Sequence, residues 1–182
     1  MVKQAVIVVD IQKDYFPGGK WPLVNVEAAA DKAAKVIAAA RAAGDAVVHI
    51  RHEFPMEAAP FFAPGSEGAA IHPKAAPLPG EPVIVKNAVN AFLNTNLDAT
   101  LKQAGIEAVT IVGAMSHMCV DAATRAAADL GYKVTVVEDA CATTDLETGG
   151  RKVPAADVHA AFMAALGFAY AEVVDTAAWL AR

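Results

Sequence analysis

Short apolar runs recur along the chain at intervals that leave room for helices. Most of these runs are continuous rather than alternating, which is typical of strands buried on both faces in a parallel sheet. The pattern therefore predicts six strands, the last of them short. They cover residues 5–9, 47–50, 82–85, 108–112, 133–137 and 171–174.

Amphipathic segments occupy most of the intervals between these strands. In the first of them, apolar residues recur every three or four positions, and Asn25 and Gly44 are suited to cap its two ends. Thr95 and Pro154 are placed to begin two later helices. The predicted helices cover residues 26–43, 96–104, 119–130, 154–167 and 176 onward. Strands that alternate with helices predict an α/β fold, with helices on both faces of a parallel sheet.

The interval from residue 53 to residue 81 departs from this alternation. It contains several prolines and glycines, few periodic apolar positions, and the aromatic residues Phe54, Phe61 and Phe62. Loops of this length in a compact domain are usually functional. We therefore expect residues 53–81 to form a long loop that sets substrate specificity.

Composition narrows the class of protein. A chain of 182 residues suits a single domain, residues 1–182, with a substantial core. Although 55% of the residues are hydrophobic, no run approaches the roughly 18 apolar residues that span a bilayer. The first apolar run is too short for a signal peptide and ends at Asp10. These features predict a cytoplasmic protein that does not associate with membranes.

Charge and cysteine content exclude further classes. The net charge is −5 and the basic residues are not clustered, so a nucleic-acid partner is not expected. The two cysteines, Cys119 and Cys141, should stay unpaired in a reducing cytosol. We expect Cys141 to be a buried structural thiol.

Three chemically reactive residues follow the carboxyl ends of predicted strands. Asp10, Lys86 and Cys119 come after the first, third and fourth strands, and in a parallel sheet such ends share the edge where ligands bind. A break at Gly113 places Cys119 in the first turn of the next helix. Unpaired backbone N–H groups and the helix dipole there are expected to favour the thiolate. The pattern predicts a nucleophilic site at this edge.

Three ordered sequence blocks carry a resemblance to a known family. They are Val9–Phe16, Val85–Phe92 and Gly113–Val120, and the last is followed by Thr124 and Ala127. Together they resemble the isochorismatase-like cysteine hydrolases, which include nicotinamidases, carbamoylsarcosine amidases and ureidoacrylate amidohydrolases. The resemblance extends over nearly the whole chain.

The resemblance implies that Asp10, Lys86 and Cys119 form a catalytic triad. It also implies a cis peptide bond between Ala114 and Met115, with the backbone N–H groups of Met115 and Cys119 forming an oxyanion hole. The implied fold is a three-layer α/β/α arrangement around a six-stranded parallel sheet of order 3-2-1-4-5-6. No cofactor is expected, and assembly into a homo-oligomer, either a dimer or a tetramer, is expected.

A metal site is not expected. Metal-containing nicotinamidases carry an Asp-Trp-His-type segment after the second strand and a further histidine downstream. The corresponding segment here is Ile50–Phe54, and the next histidine is His72. His52, Glu53 and His72 could be imagined as ligands, but His52 is better explained as orienting a loop and His72 as part of a turn.

Aromatic side chains are expected to wall the substrate pocket. Gln12 is expected either to bind the substrate or to order its loop, and His117 either to face the pocket or to lie against solvent. A charged His117 would add positive potential beside Cys119 and favour an acidic substrate. The candidate substrate-binding residues are Gln12, Phe16, Trp21, Phe62, Phe92 and His117.

These features predict a hydrolase that cleaves a C–N bond of a small amide, ureide or carbamoyl compound through a thioester on Cys119. The alternative is vinyl-ether hydrolysis of the isochorismatase type, although the retained cysteine favours C–N hydrolysis. Two further possibilities are a non-catalytic binding protein and a redox role for Cys119 through sulfenic acid. For both hydrolytic hypotheses, the expected partner is a small-molecule substrate.

Overall fold

The computed structural model describes residues 2–56 and 58–182. The strands of this part are β1 (Gln4–Val9), β2 (Ala46–His52), β3 (Val83–Lys86), β4 (Ala108–Ala114), β5 (Lys133–Ala142), β6 (Leu146–Thr148), β7 (Arg151–Val153) and β8 (Glu172–Val174). Six of them form a parallel sheet of order β3-β2-β1-β4-β5-β8. The predicted α/β fold and strand order are confirmed, and β8 is the sixth strand of that order. The hairpin of β6 and β7 was not predicted.

Helices cover both faces of the sheet and bury a separate apolar layer on each. The helices are α1 (Val26–Ala43), α2 (Leu97–Gln103), α3 (Asp121–Asp129), α4 (Ala155–Ala169) and α5 (Thr176–Leu180). One layer joins the sheet to α1 and α5, and the other joins it to α2, α3 and α4. The central strands β1 and β4 are buried on both faces, which explains their continuous apolar sequences. No described helix has both the length and the apolar composition to cross a membrane.

Several element boundaries differ from the prediction for identifiable reasons. The strand β4 continues through Gly113, and the second half of β5 pairs with that extension after a register shift. The helix α4 continues past Gly167, where a side chain would meet only Val173. Asn25 does not cap α1 through its side chain, because its backbone is left-handed. Its carbonyl instead accepts a hydrogen bond from the N–H of Ala29.

The long loop between β2 and β3 is anchored to the segment that follows β1. Asp14 is buried, and its carboxylate accepts a hydrogen bond of 2.7 Å from the N–H of Phe62. The N–H of Asp14 donates to the carbonyl of Gly68. Within the loop, Pro73–Ala75 forms a short 3₁₀ turn. The loop that was predicted to set specificity therefore packs against the edge that carries Asp10.

Gly113 is the position in β4 that tolerates no side chain, and Gly113→Ala is expected to destabilise the fold strongly. Its φ is +133°, and a Cβ would lie 1.9 Å from the carbonyl oxygen of Val9 in β1. Overpacking usually costs about 1–3 kcal/mol, and the positive φ adds backbone strain. We expect a loss of at least about 3 kcal/mol in denaturant unfolding. Gly44→Ala, at a positive-φ helix cap with open space, is the control; an equal loss in both variants would contradict the steric explanation.

Candidate active site

Three strands deliver Asp10, Lys86 and Cys119 to one edge of the sheet. Asp10 follows β1, Lys86 ends β3, and Cys119 lies in a π-helical turn, Ser116–Val120, that follows β4. Asp10 adopts a left-handed backbone with φ of +50°, a conformation that is uncommon for residues other than glycine. All three side chains are almost completely buried, at 0%, 1% and 4% exposure respectively.

The ammonium group of Lys86 lies at the centre of this cluster. Its Nζ lies 2.9 Å from Oδ2 of Asp10 and 3.2 Å from Sγ of Cys119. It also lies 2.6 Å from Nδ1 of His52 and 3.1 Å from the carbonyl oxygen of Ala88. Burial alone would lower the pKa of Lys86, but the charge of Asp10 and the contact with Cys119 more than offset it and raise the pKa. Lys86 is therefore a buried cation.

The carboxylate of Asp10 is short of hydrogen-bond donors. Its Oδ2 forms an ion pair of 2.9 Å with Lys86, and neither Oδ1 nor Oδ2 has a hydrogen-bond partner among the described residues. A carboxylate oxygen of Asp10 lies within 4.8 Å of Sγ of Cys119. The carboxylate of Asp10 and the thiol of Cys119 are therefore neighbours.

The resting state of Cys119 differs from the prediction. Burial and the charge of Asp10 together raise the pKa of the Cys119 thiol to about 12, and Lys86 opposes the rise. The predicted thiolate in a helix terminus is therefore wrong for this conformation, because desolvation outweighs the local positive charge. At neutral pH the thiol is protonated, and a base must remove its proton before it can act as a nucleophile.

The turn before Cys119 has an unusual backbone. The peptide bond between Ala114 and Met115 is cis. The carbonyl of Met115 accepts hydrogen bonds from the N–H groups of Met118 and Val120, at 3.0 and 3.2 Å, rather than from that of Cys119. This π-helical pattern widens the turn around Cys119.

Gln12 is a structural clamp that orders the long loop, which is one of the two roles predicted for it. It is completely buried. Its Nε2 donates to the carbonyls of His52 and Ala69, and its Oε1 accepts from the N–H of His52. Both N–H bonds of the amide and one lone pair of its oxygen join the end of β2 to the long loop, and the side chain exposes no polar atom that could orient a substrate.

The other predicted pocket residues are dispersed. His117 is hydrogen-bonded to Oγ1 of Thr143 at 2.6 Å and packs against Phe162. Burial lowers the pKa of His117, with Asp121 opposing the shift, so the predicted positive charge beside Cys119 is not supported. Phe92 is half-buried and lies near Tyr132.

The predicted aromatic residues of the two loops also lie apart from the reactive cluster, with one exception. Trp21 is 44% exposed and packs on Phe61. Phe16 stacks on His72 and lines a cavity of about 460 Å³ that contains none of Asp10, Lys86 and Cys119. Phe62 is the exception, because it is buried with its ring 6.2 Å from that of His52.

Two residues of the site were missed. Tyr15 lines a small cavity of about 10 Å³ together with Asp10, and burial, Asp10 and Cys119 raise its pKa. That volume is about enough for one water molecule. His52 contacts Lys86 directly. Its position at the end of β2, opposite Lys86 in the sheet register, is the sequence signal that could have identified it.

The imagined metal ligands do not converge. Glu53 pairs with Arg51, and His72 stacks on Phe16. A different set, Asp10, His52 and Cys119, offers three ligand atoms within 4.8 Å of one another. Lys86 Nζ lies within 3.2 Å of an atom of each of them. The cation that these three side chains surround in this structure is the ammonium group.

A doubly covered parallel sheet with a buried cysteine, lysine and aspartate at its carboxyl edge defines a class of small α/β hydrolases. The family model of the isochorismatase domain matches residues 4–178. The chain therefore belongs to the isochorismatase family.

Individual relatives agree with this assignment. The chain is 48% identical over 176 residues to an uncharacterised isochorismatase family protein, YddQ, of Bacillus subtilis, covering 97% of this chain and 98% of that one. A crystal structure of an Oleispira antarctica protein assigned to the isochorismatase hydrolases superposes with a TM-score of 0.96 at 52% identity, covering 99% and 97% of the two chains. A ureidoacrylate amidohydrolase of Variovorax paradoxus is 27% identical over 188 residues, covering 85% of this chain and 73% of its own.

Proposed function

We propose that this protein is a cysteine amidohydrolase that cleaves a C–N bond in a small amide, ureide or carbamoyl compound. The observation that carries the proposal is the convergence of a thiol, a cation and a carboxylate. Lys86 Nζ lies 3.2 Å from Cys119 Sγ and 2.9 Å from Asp10 Oδ2. The ureidoacrylate amidohydrolase among the relatives supports this reaction class.

The proposed reaction begins with proton transfer from the thiol of Cys119 to the carboxylate of Asp10. The sulfur attacks the substrate carbonyl carbon, and Lys86 stabilises the negative charge on the sulfur as the proton leaves. The tetrahedral intermediate then expels the amine, which takes the proton from Asp10, and a thioester remains on Cys119. Water loses a proton to Asp10 and attacks this thioester, and the departing thiolate regains that proton.

An oxyanion hole is proposed at the backbone N–H groups of Met115 and Cys119. The π-helical turn supports this role, because the carbonyl of Met115 bonds to the N–H groups on either side of that of Cys119. Donors that are fixed before the reaction stabilise a developing oxyanion without reorganisation.

An ammonia-release screen over small primary amides, ureides and carbamoyl compounds tests the proposal. We expect at least one compound to be hydrolysed by the wild-type protein and left intact by Cys119→Ala, which serves as the blank. Turnover of isochorismate with no turnover of any amide would instead support vinyl-ether hydrolysis. Equal ammonia release by the wild type and the blank would contradict the proposal, because the thiol would then be unnecessary.

A further inference from the structure

The ammonium group of Lys86 has more neighbouring acceptors than N–H bonds, and His52 is one of these acceptors. An ammonium group has three N–H bonds to donate. In this site the three hydrogen-bond acceptors are His52 Nδ1 at 2.6 Å, the Ala88 carbonyl at 3.1 Å and Cys119 Sγ at 3.2 Å. Asp10 Oδ2 lies at 2.9 Å as an ion-pair partner that receives no hydrogen bond from any residue that the structure describes. His52 takes the N–H that would otherwise be available to Asp10.

The ring of His52 is held in the state that this contact requires. The side chain is buried, and burial together with Lys86 lowers its pKa to about 4 while Asp10 opposes the shift. The ring is therefore neutral at physiological pH. Since Lys86 can only donate, Nδ1 is the acceptor and the ring proton lies on Nε2. That Nε2 has no hydrogen-bond partner among the described residues.

The backbone around His52 fixes the position of the ring. Gln12 bonds both the N–H and the carbonyl of His52, at 2.8 and 2.9 Å. The ring packs at 4.3 Å from the ring of Phe54, and His52 lies opposite Lys86 in the register of β2 and β3. Gln12 therefore affects the reactive cluster indirectly, because it fixes the backbone of His52 and so the position of the Nδ1 atom that contacts Lys86.

We propose that His52 is a positioning residue that holds the Lys86 ammonium against Cys119 and keeps the carboxylate of Asp10 free to accept the thiol proton. This role rests on the proposed function for its effect on turnover. Without the acceptor at His52, the released N–H turns to Asp10 Oδ2, the nearest remaining acceptor. The ammonium then shifts away from the sulfur, and one oxygen of Asp10 becomes occupied.

The test uses two substitutions that differ in the acceptor. His52→Phe fills the space of the ring but accepts no hydrogen bond. His52→Asn keeps an amide oxygen near the place of Nδ1. The rate at which iodoacetamide alkylates Cys119, mapped by mass spectrometry at one fixed neutral pH, reports the state of the thiol without a substrate. We expect an about tenfold slower reaction for His52→Phe, which corresponds to about one pKa unit, and a rate within about threefold of wild type for His52→Asn.

A matched control separates this effect from the loss of a buried histidine. His49 lies in the same strand and bonds Glu81, away from the cluster. His49→Asn is expected to lower the melting temperature while leaving the alkylation rate unchanged. A folded His52→Phe that is alkylated at the wild-type rate would overturn the proposal, and so would a His52→Asn as slow as His52→Phe.

A third variant covers the case in which His52→Phe does not fold. In His52→Gln the amide oxygen lies one bond farther from the backbone than in His52→Asn. We therefore expect slow alkylation of Cys119 in His52→Gln, and a rate equal to that of His52→Asn would overturn the proposal. On any amide found by the screen, His52→Phe, or His52→Gln in its place, should lower kcat about tenfold with KM within about twofold. If no amide is hydrolysed, the amidohydrolase proposal fails, while the alkylation rates still decide the role of His52.

Discussion

Cys119→Ala is expected to abolish amide hydrolysis, with a loss of at least about 10⁴-fold in kcat on any substrate found by the screen. Removal of a catalytic nucleophile commonly has an effect of this size. The remaining groups, Asp10 and Lys86, can bind or polarise a substrate but cannot form the thioester. Alanine leaves a small cavity at a position that is 4% exposed, so folding should be only modestly affected. Steady-state kinetics together with thermal melting of the variant measures both quantities.

The second cysteine provides the control. Cys141 is also buried, its Sγ donates to the carbonyl of Val137, and burial raises its pKa to about 12. It lies in β5, and neither its hydrogen bond nor the shift of its pKa involves Asp10, Lys86 or Cys119. Cys141→Ala is expected to lose some stability and keep kcat within about threefold. Retained turnover in Cys119→Ala, or lost turnover in a folded Cys141→Ala, would show that Cys119 is not the nucleophile.

The sheet could be predicted from sequence because its central strands are buried on both faces. A continuous apolar run such as residues 108–112 is expected to form a strand that is covered by helices on both faces in a small α/β domain. The extension of β5 to Ala142 was not predictable, because Glu138 and Asp139 interrupt the apolar pattern. The pairing of that half of the strand with the end of β4 is a tertiary contact that local periodicity does not encode.

The reactive cluster could be anticipated because parallel strands bring their carboxyl ends to one edge. That rule applies to Asp10, Lys86 and Cys119, and it applies equally to His52 at the end of β2. Residues in loops follow no such rule. Gln12 follows Asp10 closely in sequence, yet its side chain turns into the protein to satisfy backbone groups of the long loop.

The protonation state of the thiol could not be predicted from position alone. The turn that carries Cys119 offers positive potential, but the degree of burial decides the outcome and depends on side chains from the whole fold. The sequence therefore predicts which residue is the nucleophile, whereas the pKa of its thiol depends on the packing of the whole fold.

Lys86→Met is expected to lower the free energy of unfolding by about 3–5 kcal/mol and to abolish turnover. Methionine keeps much of the apolar stem but leaves the carboxylate of Asp10 buried without a cation, and breaking a buried pair from one side has this cost. The ion pair of 2.9 Å joins two side chains that are each 0% exposed, so solvent cannot replace the lost partner. Denaturant unfolding of the wild type and the variant measures the difference.

Removing the charge of Asp10 as well distinguishes the cost of an unpaired carboxylate from the cost of repacking around residue 86. In the double variant Asp10→Asn with Lys86→Met, no unpaired charge is left in the site. We expect it to regain at least about 2 kcal/mol of the stability lost in Lys86→Met, since neutral replacement of a buried pair is often tolerated. The double variant should remain inactive, because both the proposed base and the cation are gone. Additive losses in the double variant would instead mean that Lys86 contributes mainly through packing and its bonds to His52 and Ala88.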